Sequence, residues 1–440
     1  MKTRKSSLHE RGSRRRISHP AWWLTALGCA VAPGAVAYDL ATNLTFTAEV
    51  TARVGYDSNV YLQDVEPDLT TYPNAVRPFQ DSMVISVTPK IAFNWNQSAA
   101  FKAAFSYAPE VTRYLSESSE DYVAHRFGLN LGGTVKNVLW ECPNSVTWID
   151  GSKEGLTFGG PGGAPSIGGI PIRDRKAAFV LKNMVRTTHK VGDWFFRPTA
   201  TGYIHDFMTE KRDPAQYPGY QNYVDRNDIG GGIDAGYQIL KDTYLVLGLR
   251  YGRQEERPLP WSPYEYSNRY ARLLPGLEGK LTDWLKVNIS AGPDYRDFYA
   301  AVQPGFNDHN TVGYVDSSVV LSPATSDTVT LTFKRFEQPA FGAPSMYEDI
   351  TYDLLWKHSF DKRFSATAGF RAYIGEWIAP VLRDDYIYTP SASVAYTCKH
   401  WSAEVGYSYD WTTSAVTSID TSGREFTRHL AWISARYSFD

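Results

Sequence analysis

Cysteine is almost missing from this chain: 440 residues hold three, at Cys29, Cys142 and Cys398, so no disulfide framework can organise the fold. Methionine is scarce at five, and charge of one sign does not dominate, with 45 Lys and Arg against 47 Asp and Glu. Such a balance argues against a nucleic-acid partner. Beyond residue 37 no apolar run reaches the 18 or so residues that a spanning helix needs, and no stretch repeats convincingly at the helical period. Aromatic residues, at 14%, and 34 glycines are what the chain has instead, and both favour an all-β reading.

The N-terminus is the exception in composition. Residues 1 to 19 carry seven Lys or Arg and one acid, an apolar stretch follows from Ala21 to Val36, and Ala35-Val36-Ala37 fits a small-residue cleavage site. Residues 1–37 therefore read as a cleaved export signal and 38–440 as one domain. Without that segment 38 bases face 46 acids, a net charge of −8. Cys29 lacks the full lipoprotein context, and Arg14-Arg15-Arg16 is better read as part of a general secretion signal.

Alternation of period two then runs through the chain. Phe46, Ala48, Val50, Ala52, Val54 and Tyr56 interleave with Thr45, Thr47, Glu49, Thr51 and Arg53, and similar rows recur up to Ala431, Ile433, Ala435 and Tyr437. Eight short polar turns punctuate them, at Asn96-Gln97, Lys136-Asn137, Gly192-Asp193, Lys241-Asp242, Thr282-Asp283, Ser326-Asp327, Asp361-Lys362 and Lys399-His400. Longer connections lie between, near 57–81, 115–121, 150–174, 208–227, 255–267, 297–310, 337–346, 378–385 and 412–424. Strands of roughly 10 to 15 residues are longer than those of soluble sheets and suit a tilted bilayer crossing. Eight turns, each joining two strands, plus the first and last strand, predict about 18 strands (16–18): a closed antiparallel transmembrane β-barrel with short periplasmic turns and long extracellular loops. Trp95, Trp140, Trp148, Trp194, Trp284, Trp356, Trp377, Trp401 and Trp411 near strand ends read as interfacial girdles. Pro89, on an apolar row, predicts a weak or bulged ladder.

From Gly55-Tyr56-Asp57-Ser58-Asn59-Val60 onward the chain resembles the beta-barrel porin 2 family of Gram-negative outer-membrane proteins. The resemblance covers roughly residues 50 to 135 and continues through Asp81-Ser82-Met83, Thr88-Pro89, Phe105-Ser106-Tyr107, Thr112-Arg113-Tyr114 and Asp121-Tyr122-Val123-Ala124-His125-Arg126-Phe127, with Asp225-Arg226-Asn227-Asp228 before a Gly-rich strand as a fainter echo. It implies an outer-membrane barrel with porin-like permeability, in a family some of whose members are associated with exopolysaccharide export. It brings no catalytic residues. The chain ends Phe439-Asp440 rather than on the aromatic residue usual for barrels.

Parity assigns Glu49, Arg53, Lys90, Lys102, Arg126, Arg250, Lys286, Arg296, Lys334, Arg371, Glu404, Asp410 and Arg436 to the inward rows as pore-lining candidates. Bases outnumber acids there by roughly three to one, which predicts attraction of anions or acidic sugars, unless the charges pair across strands and merely hydrate the wall. Tyr244, Tyr373 and the Thr-rich first strand would suit a saccharide track. The Gly- and Pro-rich stretch 151–174 reads as a surface loop, with a folded-in constriction as the alternative. Asp57-Ser58-Asn59 lacks the flanking residues of an outer-membrane phospholipase, and Asp57 reads as a turn former. His125, His189, His205, His309, His358, His400 and His429 show no metal-pair spacing. Acid clusters Asp64, Glu66, Asp68 and Glu117, Glu120, Asp121 read as solvated loops rather than cation sites. Cys142 and Cys398 fall on the fifth and sixteenth strands and should stay unbridged. The expectation is thus a non-enzymatic porin without cofactor, in the outer membrane of a Gram-negative bacterium. Its partners would be lipid, lipopolysaccharide, the insertion machinery and small solutes or polysaccharide. A dedicated exopolysaccharide exporter and a non-conducting structural or surface-recognition barrel are the alternatives.

Overall fold

The computed structural model describes residues 39–41, 43–62, 80–151, 177–213, 215–216, 222–340, 345–379, 382–416 and 425–439. The expected signal 1–37, nearly all of loop 151–174 and the cluster Asp64, Glu66, Asp68 lie outside them.

A short strand β1 (Asp39–Ala41) precedes β2 (Leu44–Asp57), β3 (Ser82–Trp95), β4 (Lys102–Tyr114), β5 (Tyr122–Val135), β6 (Val138–Gly151), β7 (Ala178–Val191), β8 (Trp194–Phe207) and β9 (Arg226–Leu240). Then come β10 (Thr243–Glu256), β11 (Asn268–Thr282), β12 (Leu285–Phe298), β13 (His309–Ala324), β14 (Asp327–Pro339), β15 (Met346–Ser359), β16 (Phe364–Ala379), β17 (Arg383–Cys398), β18 (Trp401–Val416) and β19 (Thr427–Phe439). Each of β2 to β19 pairs antiparallel with its sequence neighbours, and β19 returns to β2, from Leu430 opposite Asp57 to Phe439 opposite Ala48. An eighteen-stranded ring is the result, with no open edge along most of its length. The eight turns lie at, or within a residue of, their expected places, so the strand count follows from them.

Alternation decides which side chain faces which way. Val54, Leu245, Leu247, Leu249, Val405 and Ile433 are exposed on the outer face, and the residue on either side of each points inward. Trp95, Trp148, Trp194, Trp284, Trp356, Trp401 and Trp411 are exposed near strand ends, where an amphipathic ring suits a membrane boundary. Trp377 does not join them. It shares its row with Arg371 and Tyr373, donates from Nε1 to Asp385 at 3.0 Å, and stacks on Tyr347 inside the ring.

Prolines interrupt ladders without shifting them. Pairing of β3 with β4 lapses between Val87–Val111 and Ile91–Tyr107 and resumes in the same register. Pro89 and Pro109 face each other across that gap, each lacking a donor, so the ladder is weak there and not bulged.

One seam departs from the ring. β13 follows β12 up to His309, and β14 follows β15 up to Pro339, yet β13 and β14 part company after Val315–Arg335. The loop end of β14, expected as part of an external connection at 337–346, turns inward. Strands stand roughly 5 Å apart, so in a round section β9 and β14 would be on the order of 20 Å apart, whereas an Arg side chain reaches about 7 Å. Arg226 of β9 nevertheless donates from Nη1 to the Pro339 carbonyl at 2.7 Å. Met346, at the start of β15, accordingly packs with Tyr266, Phe298 and Ala379.

Candidate functional site: the inner wall

All thirteen proposed lining residues lie on the rows opposite the exposed apolar ones, and the structure shows what they touch. Lys90 meets Glu49 at 3.0 Å, and Arg436 approaches the same carboxylate at 4.0 Å. Arg126 pairs with Glu110 at 2.7 Å, Arg250 with Asp234 at 2.7 Å, Arg296 with Asp294 at 2.7 Å, Arg371 with Asp353 at 2.7 Å, and Asp410 with Arg428 at 2.6 Å. Arg53 lies within the field of Glu110 and Glu404. Lys102, Lys286 and Lys334 are exposed. Glu110, Asp234, Glu278, Asp294 and Asp353 stand on the inward rows beside the bases, so the three-to-one basic excess does not hold. Cross-strand pairing, the alternative reading of these charges, describes most of this wall.

Between β8 and β13 the wall opens into a cavity of about 330 Å³. Its shape begins with glycine. Gly230 and Gly252 face inward on β9 and β10, and a Cβ at either would collide with the Tyr270 hydroxyl. That ring therefore lies flat on the wall, and its Oη donates to Asp228 at 3.1 Å. Gly232 similarly receives the stem of Arg250.

Over this floor runs a chain of alternating charge. Arg197 reaches from β8 past two strands to Glu278 on β11, donating through Nη1 at 3.0 Å and Nη2 at 2.7 Å, while its Nε bonds Asp234 at 2.9 Å. Asp234 also takes Arg250. Further along, Arg272 pairs with Asp294 at 3.0 Å and is held between the rings of Tyr270 and Tyr314, 4.1 and 4.5 Å from their centroids. A guanidinium between two aromatic faces keeps its orientation through cation–π attraction. Asp316, paired through its backbone in the ladder, borders the cavity with a side chain that has no ion pair or hydrogen bond among the described residues. Tyr244, near the turn end, packs edge-on against Phe195 at 5.1 Å, and Tyr373 is buried against Ile387.

At the loop end the interior is packed. Tyr114, Tyr122, Val84 and Leu430 form one buried cluster with Val60. Across the ring Arg296, 3% exposed, donates to Gln254, Asn268, Asp294 and the carbonyl of Glu337. Arg226, 8% exposed, holds Gln338 as well as Pro339. Sequence reasoning named Arg296 but missed Arg197, Arg226, Arg272, Asp234 and Glu278, which stand on β8, β9 and β11, strands to which it assigned no lining residue.

Other candidates resolve locally. Asp57 accepts the Asn59 backbone N–H at 3.0 Å, the turn role expected of it. Asp121 pairs with Arg113 at 3.1 Å and accepts the Tyr114 N–H. Cys142 and Cys398 are both free.

No family model matches this sequence, and no curated protein is similar to it. Similar solved structures include OccAB3 of Acinetobacter baumannii, at 9% identity and a TM-score of 0.43 over 90% of this chain and 99% of that one. The outer membrane protein opdK from Pseudomonas aeruginosa gives 8% identity and 0.44 over 89% and 99%, and the FrpB iron transporter from Neisseria meningitidis 10% and 0.44 over 87% and 64%. Likeness at this level bears on neither solute nor mechanism.

Proposed function

We propose that this protein is a channel in the outer membrane of a Gram-negative bacterium, passing small polar solutes and favouring uncharged, polyhydroxylated ones such as saccharides over ions. One observation carries the reading: a closed ring of eighteen strands with apolar rows outside and paired charges inside. A barrel this wide cannot fill its own section with side chains, so water occupies what they leave. In the β8–β13 cavity guanidinium and carboxylate alternate, which supplies donors and acceptors with little net field, and the Tyr270 and Tyr314 rings offer apolar faces. Neutral polyols suit that combination better than anions do.

The motifs between residues 50 and 135 that resemble the beta-barrel porin 2 family, which no family model match accompanies, make an exopolysaccharide a further candidate solute. Phe439, paired into the closing seam, would serve recognition by the insertion machinery despite the Asp440 that follows. A second reading, a non-conducting barrel, draws on the packed loop end. Liposome swelling with the refolded protein tests both. Entry of neutral sugars faster than of equally sized sugar acids supports the channel, whereas no swelling with any solute leaves the non-conducting barrel.

A further inference from the structure

The parting of β13 and β14 leaves backbone groups to be satisfied, and the way they are satisfied is specific. Beyond Arg335 the edge of β14 that would have met β13 carries the carbonyls of Glu337 and Pro339, two residues apart and therefore on the same edge. Each accepts one guanidinium N–H: Glu337 from Arg296 at 2.7 Å, Pro339 from Arg226 at 2.7 Å. Proline at 339 removes a donor that this position would otherwise need to place. Asn310 of β13 keeps only a side-chain link, from Nδ2 to the Glu337 carboxylate at 3.0 Å. On the other side, β13 from His309 to Tyr314 stays paired to β12, and on the edge it presents towards β14 the Thr311 N–H is capped locally by Asn310 Oδ1 at 2.8 Å and the His309 N–H by Asn307 Oδ1 at 3.2 Å. Continued register would set Glu337 opposite Gly313 and Pro339 opposite Thr311.

Resting on the channel reading, we propose that Arg226 and Arg296 are aperture-determining residues. By capping the two freed carbonyls they hold the loop end of β14 across the lumen, and without them Phe336–Pro339 extends the β13 ladder and the mouth widens. Arg226 is the more discriminating position to perturb. Its described bonds to this strand end are those to Gln338 and Pro339, whereas Arg296 also organises Gln254, Asn268 and Asp294. An alanine there loses the cap, and lysine, with one donor point and no fork, restores it only in part.

The test combines conductance with a cross-link in a background where Cys142 and Cys398 are Ser. Gly313→Cys with Glu337→Cys reports ladder extension, because opposed residues of an antiparallel pair meet disulfide geometry. A Cβ at Gly313 meets nothing closer than the Arg335 guanidinium at 3.7 Å, so the substitution fits. The expected result is little cross-link with Arg226 present, cross-linking with Arg226→Ala, and a single-channel conductance that rises by about twofold or more, since aperture limits flux. Arg226→Lys should fall between. Unchanged conductance in Arg226→Ala, or equal cross-linking with and without the arginine, overturns the proposal. Should Arg226→Ala fail to insert, Gln338→Ala removes one acceptor and carries the same comparison with a smaller rise. A protein that conducts in no form defeats the channel reading, and the cross-link still decides the latch.

Discussion

Asp234 holds two arginines at once, and Asp234→Asn is the change that most directly tests whether this lumen is balanced by design. Arg197 Nε lies 2.9 Å and Arg250 Nη1 2.7 Å from its carboxylate, whose side chain is only 6% exposed. Arg197 would keep Glu278, but Arg250 has no other ion pair among the described residues. Leaving a buried partner uncompensated costs about 3 kcal/mol, the lower end of the usual range because one of the two arginines stays paired. Selectivity moves as well. A solute ion passing on the order of 8 Å from one added unit charge in water gains or loses about 0.5 kcal/mol, and since the anion gains what the cation loses, the anion-to-cation permeability ratio should rise by about fivefold. Reversal potential across a planar bilayer under a KCl gradient reads this, best in roughly 10 mM salt, where screening extends over about 30 Å. Restoring neutrality with Asp234→Asn/Arg250→Gln should bring the potential back towards that of the parent. An unchanged potential in the single variant, or no return in the double one, would refute the argument that paired wall charges set the field.

Gly252→Ala should destabilise the barrel by about 1–3 kcal/mol through overpacking, because the new methyl displaces Tyr270 from the wall and breaks its bond to Asp228; denaturant unfolding in vesicles, followed by tryptophan fluorescence, measures it. At the β15–β16 turn, bonds from the Phe364 and Arg363 backbone N–H groups to the Asp361 carboxylate hold its pKa below the ordinary value. A depressed pKa adds stability that is present above the unfolded-state value of about 4 and is lost as pH falls through the folded one, so protection of these two amides against hydrogen exchange should drop in acid, and Asp361→Ala should abolish that dependence. Cys142→Ser/Cys398→Ser should leave non-reducing electrophoretic mobility and activity unchanged, both thiols being free and on strands far apart in the ring.

The barrel was legible because its two signals are local. Period-two rows need only the pleat, and turns such as Lys136-Asn137 or Lys241-Asp242 need only residues that tolerate positive φ, which Lys136 and Asp242 adopt at 56° and 62°. Strand count follows from turn count. The inner wall was legible in parity but not in sum: Asp228 and Asp234 share a row with Arg226, yet the run Ile229-Gly230-Gly231-Gly232-Ile233 hides the alternation that would have assigned them. Trp377 was placed by residue type, when counting from Arg371 would have turned it inward.

The inward end of β14 was beyond any local reading, and the reason is physical. Alternation continues smoothly through Phe336 and Gln338, and although Pro339 cannot donate to β13, a missing donor weakens pairing without saying that the strand end folds into the lumen. What distinguishes the two is whether distant groups can cap the edge that pairing would have satisfied, and those groups sit on β9 and β12, more than a hundred and about forty residues away. In a small barrel the opposite wall would fill such a space with apolar bulk. In one of eighteen strands the span is too wide for that, and long, always-charged arginines lying along the wall are the side chains that can reach it. Width therefore accounts for two features together: a wall where charges pair beside their neighbours, and a single seam where two guanidiniums replace a strand.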